Sequence, residues 1–360
     1  MTELEKLGWS DAFEKKFRDA AATITDAIPA RIVREDRGLY RAIAAGQNTP
    51  AEITGAYRHD HVRSEDFPAV GDWVVANQIH GEEKLRIHAL LPRRTAFSRT
   101  AAGTTSEKQV VAANVDTVFI VMGLDGDFNV RRVERYVSLA YESGAQPVIV
   151  LNKSDLAESP AQRKSETEDV AMGVPVYLVA SLSGEGIEAL RPFVSVGQTV
   201  ACLGSSGAGK STLINALLGE DTMATGAIRE DDSRGRHTTT HRQLLRLPGG
   251  GSLIDTPGMR ELQLTGDEGG LDSAFKDVET LAENCAFRDC THGNEPGCAI
   301  RMALDSGELD PARYRSYEKL QRELDYAQRR QSESLNYQEQ QRTKAKGKIH
   351  KRIQNEKRRR

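Results

Sequence analysis

The 360-residue sequence predicts a multidomain fold: an N-terminal β-barrel, a central doubly wound α/β domain, and a mostly helical C-terminal segment around a Cys/His cluster. Three observations carry this expectation. Short runs rich in β-branched and aromatic residues fill residues 30–98, and apolar strands alternate with amphipathic helices from about 108 to 262. Three cysteines and a histidine then crowd into fourteen positions between Cys285 and Cys298. No segment approaches eighteen consecutive apolar residues, so a membrane span is not expected. The opening "MTELEKLGWSDAFEKKF" mixes acids and bases without an apolar core, unlike a secretory leader, and a cytoplasmic location is the default expectation.

Residues 1–28 read as a mobile helical extension, and 29–100 as the barrel. In the barrel, "RIVRED", "LYRAIAAG", "AEITGAY", "DWVVANQI" and "LRIHALL" are strand-like runs punctuated by Gly, Asp, Asn and Pro. Five short strands suit an OB-fold, a barrel that often binds nucleic acid; a structural or protein-binding barrel would show the same pattern. The "HDH" of His59 to His61 lacks nearby partners for a metal and reads as a solvated loop.

The α/β domain is expected over 101–265. "DTVFIVMGL" is a buried strand, and the helix after it places Val130, Val133, Val137 and Ala140 on one face, with Gly144 as its stop. "PVIVLN", "VPVYLVA", "QTVACLG" and "GSLIDT" supply further strands for a largely parallel sheet. Residues 266–340 hold the Cys/His cluster and then helices, where Tyr314, Tyr317, Leu320, Leu324 and Ala327 form an apolar stripe. The tail 341–360 carries ten Lys/Arg against Glu356 alone, a net of about +9, so the other 340 residues hold about −12 of the chain's −3. Such a tail is either a solvated charge run or a contact for a polyanion such as RNA.

Gly204, Gly209, Lys210 and Ser211 satisfy G-x-x-x-x-G-K-[ST] between an apolar strand and the helix "STLINALLG". Backbone N–H groups of Ser205, Ser206, Gly207, Ala208, Gly209 and Lys210, with Thr212 after them, suit phosphate oxygens at a helix N-terminus. Lys210 would reach the β- and γ-phosphates, and Ser211 would ligate Mg²⁺. In "DTPG", Asp255 suits water-mediated Mg²⁺ binding and Gly258 the γ-phosphate; Thr238, Thr239 and Thr240 offer the second Mg²⁺ hydroxyl, Thr239 foremost. Upstream, "VIVLNKSDL" brings Asn152, Lys153, Ser154 and Asp155 to a strand end, and Ala180 and Ser181 stand where backbone N–H groups can meet a guanine carbonyl. A buried Asp155 carboxylate accepts from the guanine ring N–H and exocyclic amine, which adenine lacks there, so GTP is expected over ATP. Singly, each short motif is also an ordinary turn.

The guanine-reading motif precedes the phosphate loop, and the switch motifs come last. In that order the sequence resembles the circularly permuted GTPases, and within them the RsgA (YjeQ) family, over roughly residue 30 to the C-terminus. "RGLYRA", "FPAVGDWV", "LPRRTAFSR", "AANVDTVFIV", "RRVERYVSLAYESGAQPVIVLNKSDL" and "GRHTTTHR" carry the likeness. The resemblance implies an OB-fold, a permuted GTPase domain and a zinc domain in that order. It also implies a late role in small-ribosomal-subunit maturation, with rRNA or ribosome contacts and hydrolysis stimulated by the particle. The residue after D-x-x-G is Met259, which cannot orient water as a glutamine does. His237 beside the threonines is the candidate for that task, in line with the family, the alternative being a surface histidine without chemistry.

Cys285, Cys290, His292 and Cys298 are spaced C-x₄-C-x-H-x₅-C, a full tetrahedral set for structural Zn²⁺ with no open position. A disulfide fits poorly in a cytosolic chain and strands one cysteine. Cys202, the fourth cysteine, is expected in the core. The reading is a monomeric, Mg²⁺- and GTP-dependent hydrolase acting as a timer on RNA; the alternative is an RNA-binding assembly factor that holds GTP as a structural ligand only.

Overall fold

The computed structural model describes residues 2–36, 38–78, 81–100, 108–126, 128–219, 242–255 and 269–329. His237, Thr238 to Thr240, Gly258, Met259 and the tail 341–360 lie outside the described residues.

Two helices, α1 (Glu3–Lys6) and α2 (Asp11–Ala21), open the chain. Thr2 and Glu5 cap α1 reciprocally, the Thr2 hydroxyl accepting from Glu5 N at 3.2 Å and the Glu5 carboxylate from Thr2 N at 2.7 Å. The extension is helical, but the expectation that it is mobile is corrected. Leu7 and Phe13 are each 1 % exposed, and Trp9 meets Trp73 edge-on at 4.7 Å between ring centroids. Burial of such large apolar groups holds the segment against the body.

Strands β1 (Ile28–Asp36), β2 (Leu39–Ala44) and β3 (Gln47–Ile53) precede α3 (Gly55–Asp60), β4 (Trp73–Gln78) and β5 (Leu85–Leu90). The order β1-β2-β3-β5-β4 closes when β4 pairs back onto β1 from Ile28↔Ala76 to Arg31↔Trp73. Ala30, Ala42 and Ala76 alternate inside with Ile32, Val74, Leu85 and Ile87, as the narrow bore of a five-stranded barrel requires. The "HDH" segment is the end of α3 and not a loop: the His61 ring stacks on Tyr57 at 4.0 Å and its Nδ1 lies 2.9 Å from Tyr57 O. A separate hairpin, β6 (Ala96–Thr100) with β7 (Lys108–Ala113), follows the barrel.

The α/β unit then runs β8 (Thr117–Gly123), α4 (Val130–Ser143), β9 (Gln146–Asn152), α5 (Pro160–Ala171), β10 (Val176–Val179), β11 (Thr199–Leu203), α6 (Lys210–Leu218), β12 (Arg242–Arg246) and β13 (Ser252–Asp255). Strands β10-β9-β8-β11-β13 are parallel, and antiparallel β12 follows. Every residue of β8 is buried, as for a central strand covered on both faces. Asn129 caps α4 by accepting from Arg131 N and Arg132 N, and Gly144 ends it at φ 84°. β12 also pairs with β1 through Arg34↔Gln243 and Glu35↔Arg242, so one eleven-stranded sheet joins barrel and α/β unit. The buried Arg31 guanidinium locks this junction. It donates to Leu7 O, to Gly71 O at 3.3 Å and to Thr199 Oγ1 at 2.9 Å, bridging extension, barrel and β11.

Helices α7 (Gly269–Ala274), α8 (Lys276–Ala282), α9 (Ala299–Ser306) and α10 (residues 311–329) complete the described chain. The apolar stripe of α10 finds its surface: Leu320 and Leu324 are buried, and Tyr317 packs on Phe275 at 5.6 Å. Arg313, 5 % exposed, grips Asp277 through Nε at 2.5 Å and Nη2 at 2.6 Å, and Glu134 of α4 through Nη1 at 3.0 Å. Among the described residues no helix is long and apolar enough to cross a membrane.

Candidate functional site

The five parallel strands deliver their C-terminal ends to one edge of the sheet, the place where open α/β sheets bind ligands. Past β9 come Asn152 to Asp155, past β10 come Ala180 and Ser181, past β11 comes the loop from Gly204 to Lys210, and β13 ends on Asp255. Segments separated by up to about a hundred residues therefore meet because of the strand order alone.

Asn152 knots three of them together. It is 1 % exposed. Its Nδ2 donates to Ala208 O at 3.0 Å and Gly209 O at 3.4 Å, while its Oδ1 accepts from Ser181 N at 3.1 Å and Ser181 Oγ at 2.7 Å. Only an amide offers donor and acceptor on one short, planar group, so neither Asp nor Leu could replace it. Gly209 is part of the same knot: at φ 89°, a Cβ there would fall 2.2 Å from Asn152 Nδ2. Gly204 is equally constrained, since its Cβ would lie 2.2 Å from Val121 O on β8.

The loop itself has the geometry of an anion cradle. Ser206 and Gly207 are exposed, Ala208 is buried, and α6 begins at Lys210 with its first amides at the loop. Lys210 Nζ donates to Gly204 O at 2.7 Å and also to Ser205 O, so the ammonium lies across the cradle. Ser211 and Thr212 form the first turn of α6. Cys202 is in the core as expected, and burial, helped by the Asp255 charge, pushes its thiol up to about 12. A cavity of about 450 Å³ opens beside Ser181, Leu182, Thr212 and Asn215.

Two sequence expectations change. Ala180 N and Ser181 N are already engaged, by Glu185 O at 3.0 Å and by Asn152, so neither is open to a base carbonyl. The next amide, that of Leu182, makes no hydrogen bond among the described residues. Asp155 is exposed on the turn Ser154–Leu156 and not buried, so a base must itself cover that carboxylate. Lys153 sits at φ 60° and pairs with Asp125, just past β8, a residue the sequence reading passed over. The signal available was positional: β8 and β9 are neighbours, and a carboxylate past one strand faces a lysine past the other.

The Cys/His cluster also assembles. The ligand atoms of Cys285, Cys290, His292 and Cys298 all lie within 4.8 Å of one another. His292 Nδ1 is 3.6 Å from both Cys285 Sγ and Cys298 Sγ. Metal–sulfur and metal–nitrogen bonds of about 2.3 and 2.0 Å at a tetrahedral angle give an S···N edge of about 3.5 Å, close to the observed separation, so the donor set fits one metal ion. Burial opposes ionisation of Cys285, but the N–H groups of Ala299 and Ile300 pull its pKa down, as suits a thiolate ligand.

Comparison with known proteins agrees with this geometry. The family model described as RsgA GTPase matches residues 90–265. The small ribosomal subunit biogenesis GTPase RsgA of Opitutus terrae is 50 % identical over 337 residues, covering 91 % of each chain. Its namesake from Xanthomonas euvesicatoria is 48 % identical over 326 residues, covering 89 % of this chain and 88 % of that one. Among solved structures, YjeQ from Thermotoga maritima aligns with a TM-score of 0.63 at 26 % identity over 83 % of this chain and 98 % of its own. YloQ, a circularly permuted GTPase, aligns at 0.62 and 22 % identity over 84 % and 96 %, a likeness of fold. With half of its residues identical to those of a named relative over nine-tenths of both chains, the chain belongs to the RsgA GTPase family.

Proposed function

We propose that the protein is a GTP hydrolase acting as a checkpoint in late maturation of the small ribosomal subunit, converting GTP to GDP and phosphate when the particle stimulates it. The observation that carries this reading is the Asn152 knot, which ties a guanine-type turn to a phosphate loop. Its relatives' name, small ribosomal subunit biogenesis GTPase, supplies the partner class.

In this reading the guanine ring lies between Lys153 and the Leu182 amide, which donates to the base carbonyl, and Asp155 accepts from the ring N–H and amine. Amides from Ser205 to Lys210 hold the phosphates, and Lys210 swings from its loop carbonyls onto the β- and γ-oxygens. Ser211, Thr239 and Asp255 would hold Mg²⁺, whose charge offsets that developing on the phosphates. His237 would orient the attacking water, and Gly258 would meet the γ-phosphate. Cys285, Cys290, His292 and Cys298 would hold one Zn²⁺, which supplies folding energy and no chemistry. The barrel and basic tail would contact rRNA, and the protein would act as a cytoplasmic monomer.

Phosphate release with and without purified small subunits, at several salt concentrations, tests the proposal. The expected result is slow turnover alone, strong stimulation by subunits and a steep loss of stimulation with salt. Met259, at the place of a water-orienting glutamine, favours a second reading in which GTP is only a structural ligand. Tight binding with no stimulated turnover would select that reading. His237→Ala should abolish the stimulated rate and spare GTP affinity; an unchanged rate removes the histidine from the mechanism.

A further inference from the structure

The Lys153 side chain is fixed at both ends. At its root the backbone adopts φ 60°, a left-handed conformation that a non-glycine residue seldom holds. At its tip the ammonium pairs with the Asp125 carboxylate at the end of the neighbouring strand. The stem between them passes beside the phosphate loop, for a Cβ on Gly209 would lie 3.9 Å from Lys153 Cε. The pair is only partly covered, 23 % and 33 % exposed, so it stands within reach of solvent and of a ligand.

Gly123 completes the arrangement. A Cβ there would come within 2.7 Å of Asp125 Oδ1, so the carboxylate in this position uses the space left by the missing side chain at the last residue of β8. Gly123 has an ordinary negative φ and needs no conformational freedom, which leaves the space above it as its evident requirement. Leu124 N donates to Asn152 O at 2.8 Å, binding the same strand end to the guanine-reading turn.

We propose that Asp125, with room made by Gly123, is a positioning residue that holds Lys153 extended beside the phosphate loop as a preformed wall for the nucleotide base. This rests on the guanine-reading assignment of Lys153. A free lysine stem has several rotamers to lose on binding, and the ion pair removes part of that loss beforehand. The wall would serve GTP and GDP alike, so the effect falls on affinity for both and not on the chemical step.

Equilibrium binding of fluorescent GDP and GTP analogues to the full-length protein tests this. Asp125→Asn should weaken both nucleotides by about tenfold with kcat of stimulated hydrolysis unchanged. Gly123→Ala, which displaces the carboxylate while leaving it charged, should do the same. In a Lys153→Met background, which keeps the stem and removes the charge, Asp125→Asn should add nothing. Unchanged affinity in both single variants, or a full additional loss in the Lys153→Met background, overturns the proposal. Absence of guanine-nucleotide binding by the unaltered protein would instead remove the site assignment beneath it.

Discussion

The nucleotide edge and the metal-type loop are both built from residues brought to one point, yet they are supported in opposite ways. The nucleotide edge rests on five parallel strands whose side chains are almost all buried, and its loop needs only hydrogen bonds and two glycines to hold its shape. In the loop from Cys285 to Cys298, by contrast, Cys298 is the one buried residue. Its shape rests on the four ligands and a few hydrogen bonds, among them Ala286 N to Gly297 O at 3.1 Å, Arg301 to Gly293 O at 2.6 Å and Thr291 N to Glu295 at 3.0 Å. A site on a large core loses function when altered and keeps its fold. A site without a core loses the fold itself.

Removing metal is therefore the largest expected effect. A chelator, or Cys285→Ser, should open residues 285–298 to proteolysis while nucleotide binding persists, because α10 is docked independently by Leu320, Leu324 and Arg313. Loss of GDP binding on chelation would show that the two regions are one cooperative unit.

Arg313 sharpens the boundary between them. Arg313→Ala leaves Glu134, 2 % exposed, with Arg131 at 2.7 Å as its remaining ion-pair partner and should cost about 1.5–3 kcal/mol in denaturant unfolding. The double variant Arg313→Met with Glu134→Gln should recover part of that loss, since the buried carboxylate that Arg131 alone would have to balance is gone. Gly209→Ala comes next. Its methyl group meets Asn152 Nδ2, so nucleotide affinity should fall about a hundredfold while the strained backbone lowers the melting temperature by a few degrees, as measured by titration and thermal unfolding. The smallest effect is expected at the sheet junction. Glu35→Gln weakens the 2.9 Å pair with Arg242 and should cost within about 1 kcal/mol.

What could be read from sequence follows the same division. Phosphate-loop glycines, the N-K-x-D turn and the Cys/His spacing are local patterns in which backbone conformation or ligand chemistry dictates the residue. The parallel sheet was legible because β8, β9 and β11 are unbroken apolar runs. Partners distant in sequence were not. Glu134 lies on α4 beside the apolar face that the helical period identifies, and its partner Arg313 is 179 residues away. Arg31 looks like a surface residue of a strand, yet it is 1 % exposed and bonded to Thr199, 168 residues on. The extension looks mobile in sequence because nothing local in residues 1–28 names the surface that covers Trp9 and Phe13, which is Trp73. The engagement of Ser181 N was hidden for a related reason, since its acceptor is a side chain on another strand end.

The base-reading role of the turn past β9 is the claim on which the account depends, and nucleotide selectivity of Asp155→Asn tests it most directly. Asparagine can donate to the C2 carbonyl of xanthine, where aspartate accepts from the guanine amine. The account predicts that the variant loses GTP binding and stimulated GTP hydrolysis and gains both with XTP. Undiminished use of GTP by Asp155→Asn would contradict it.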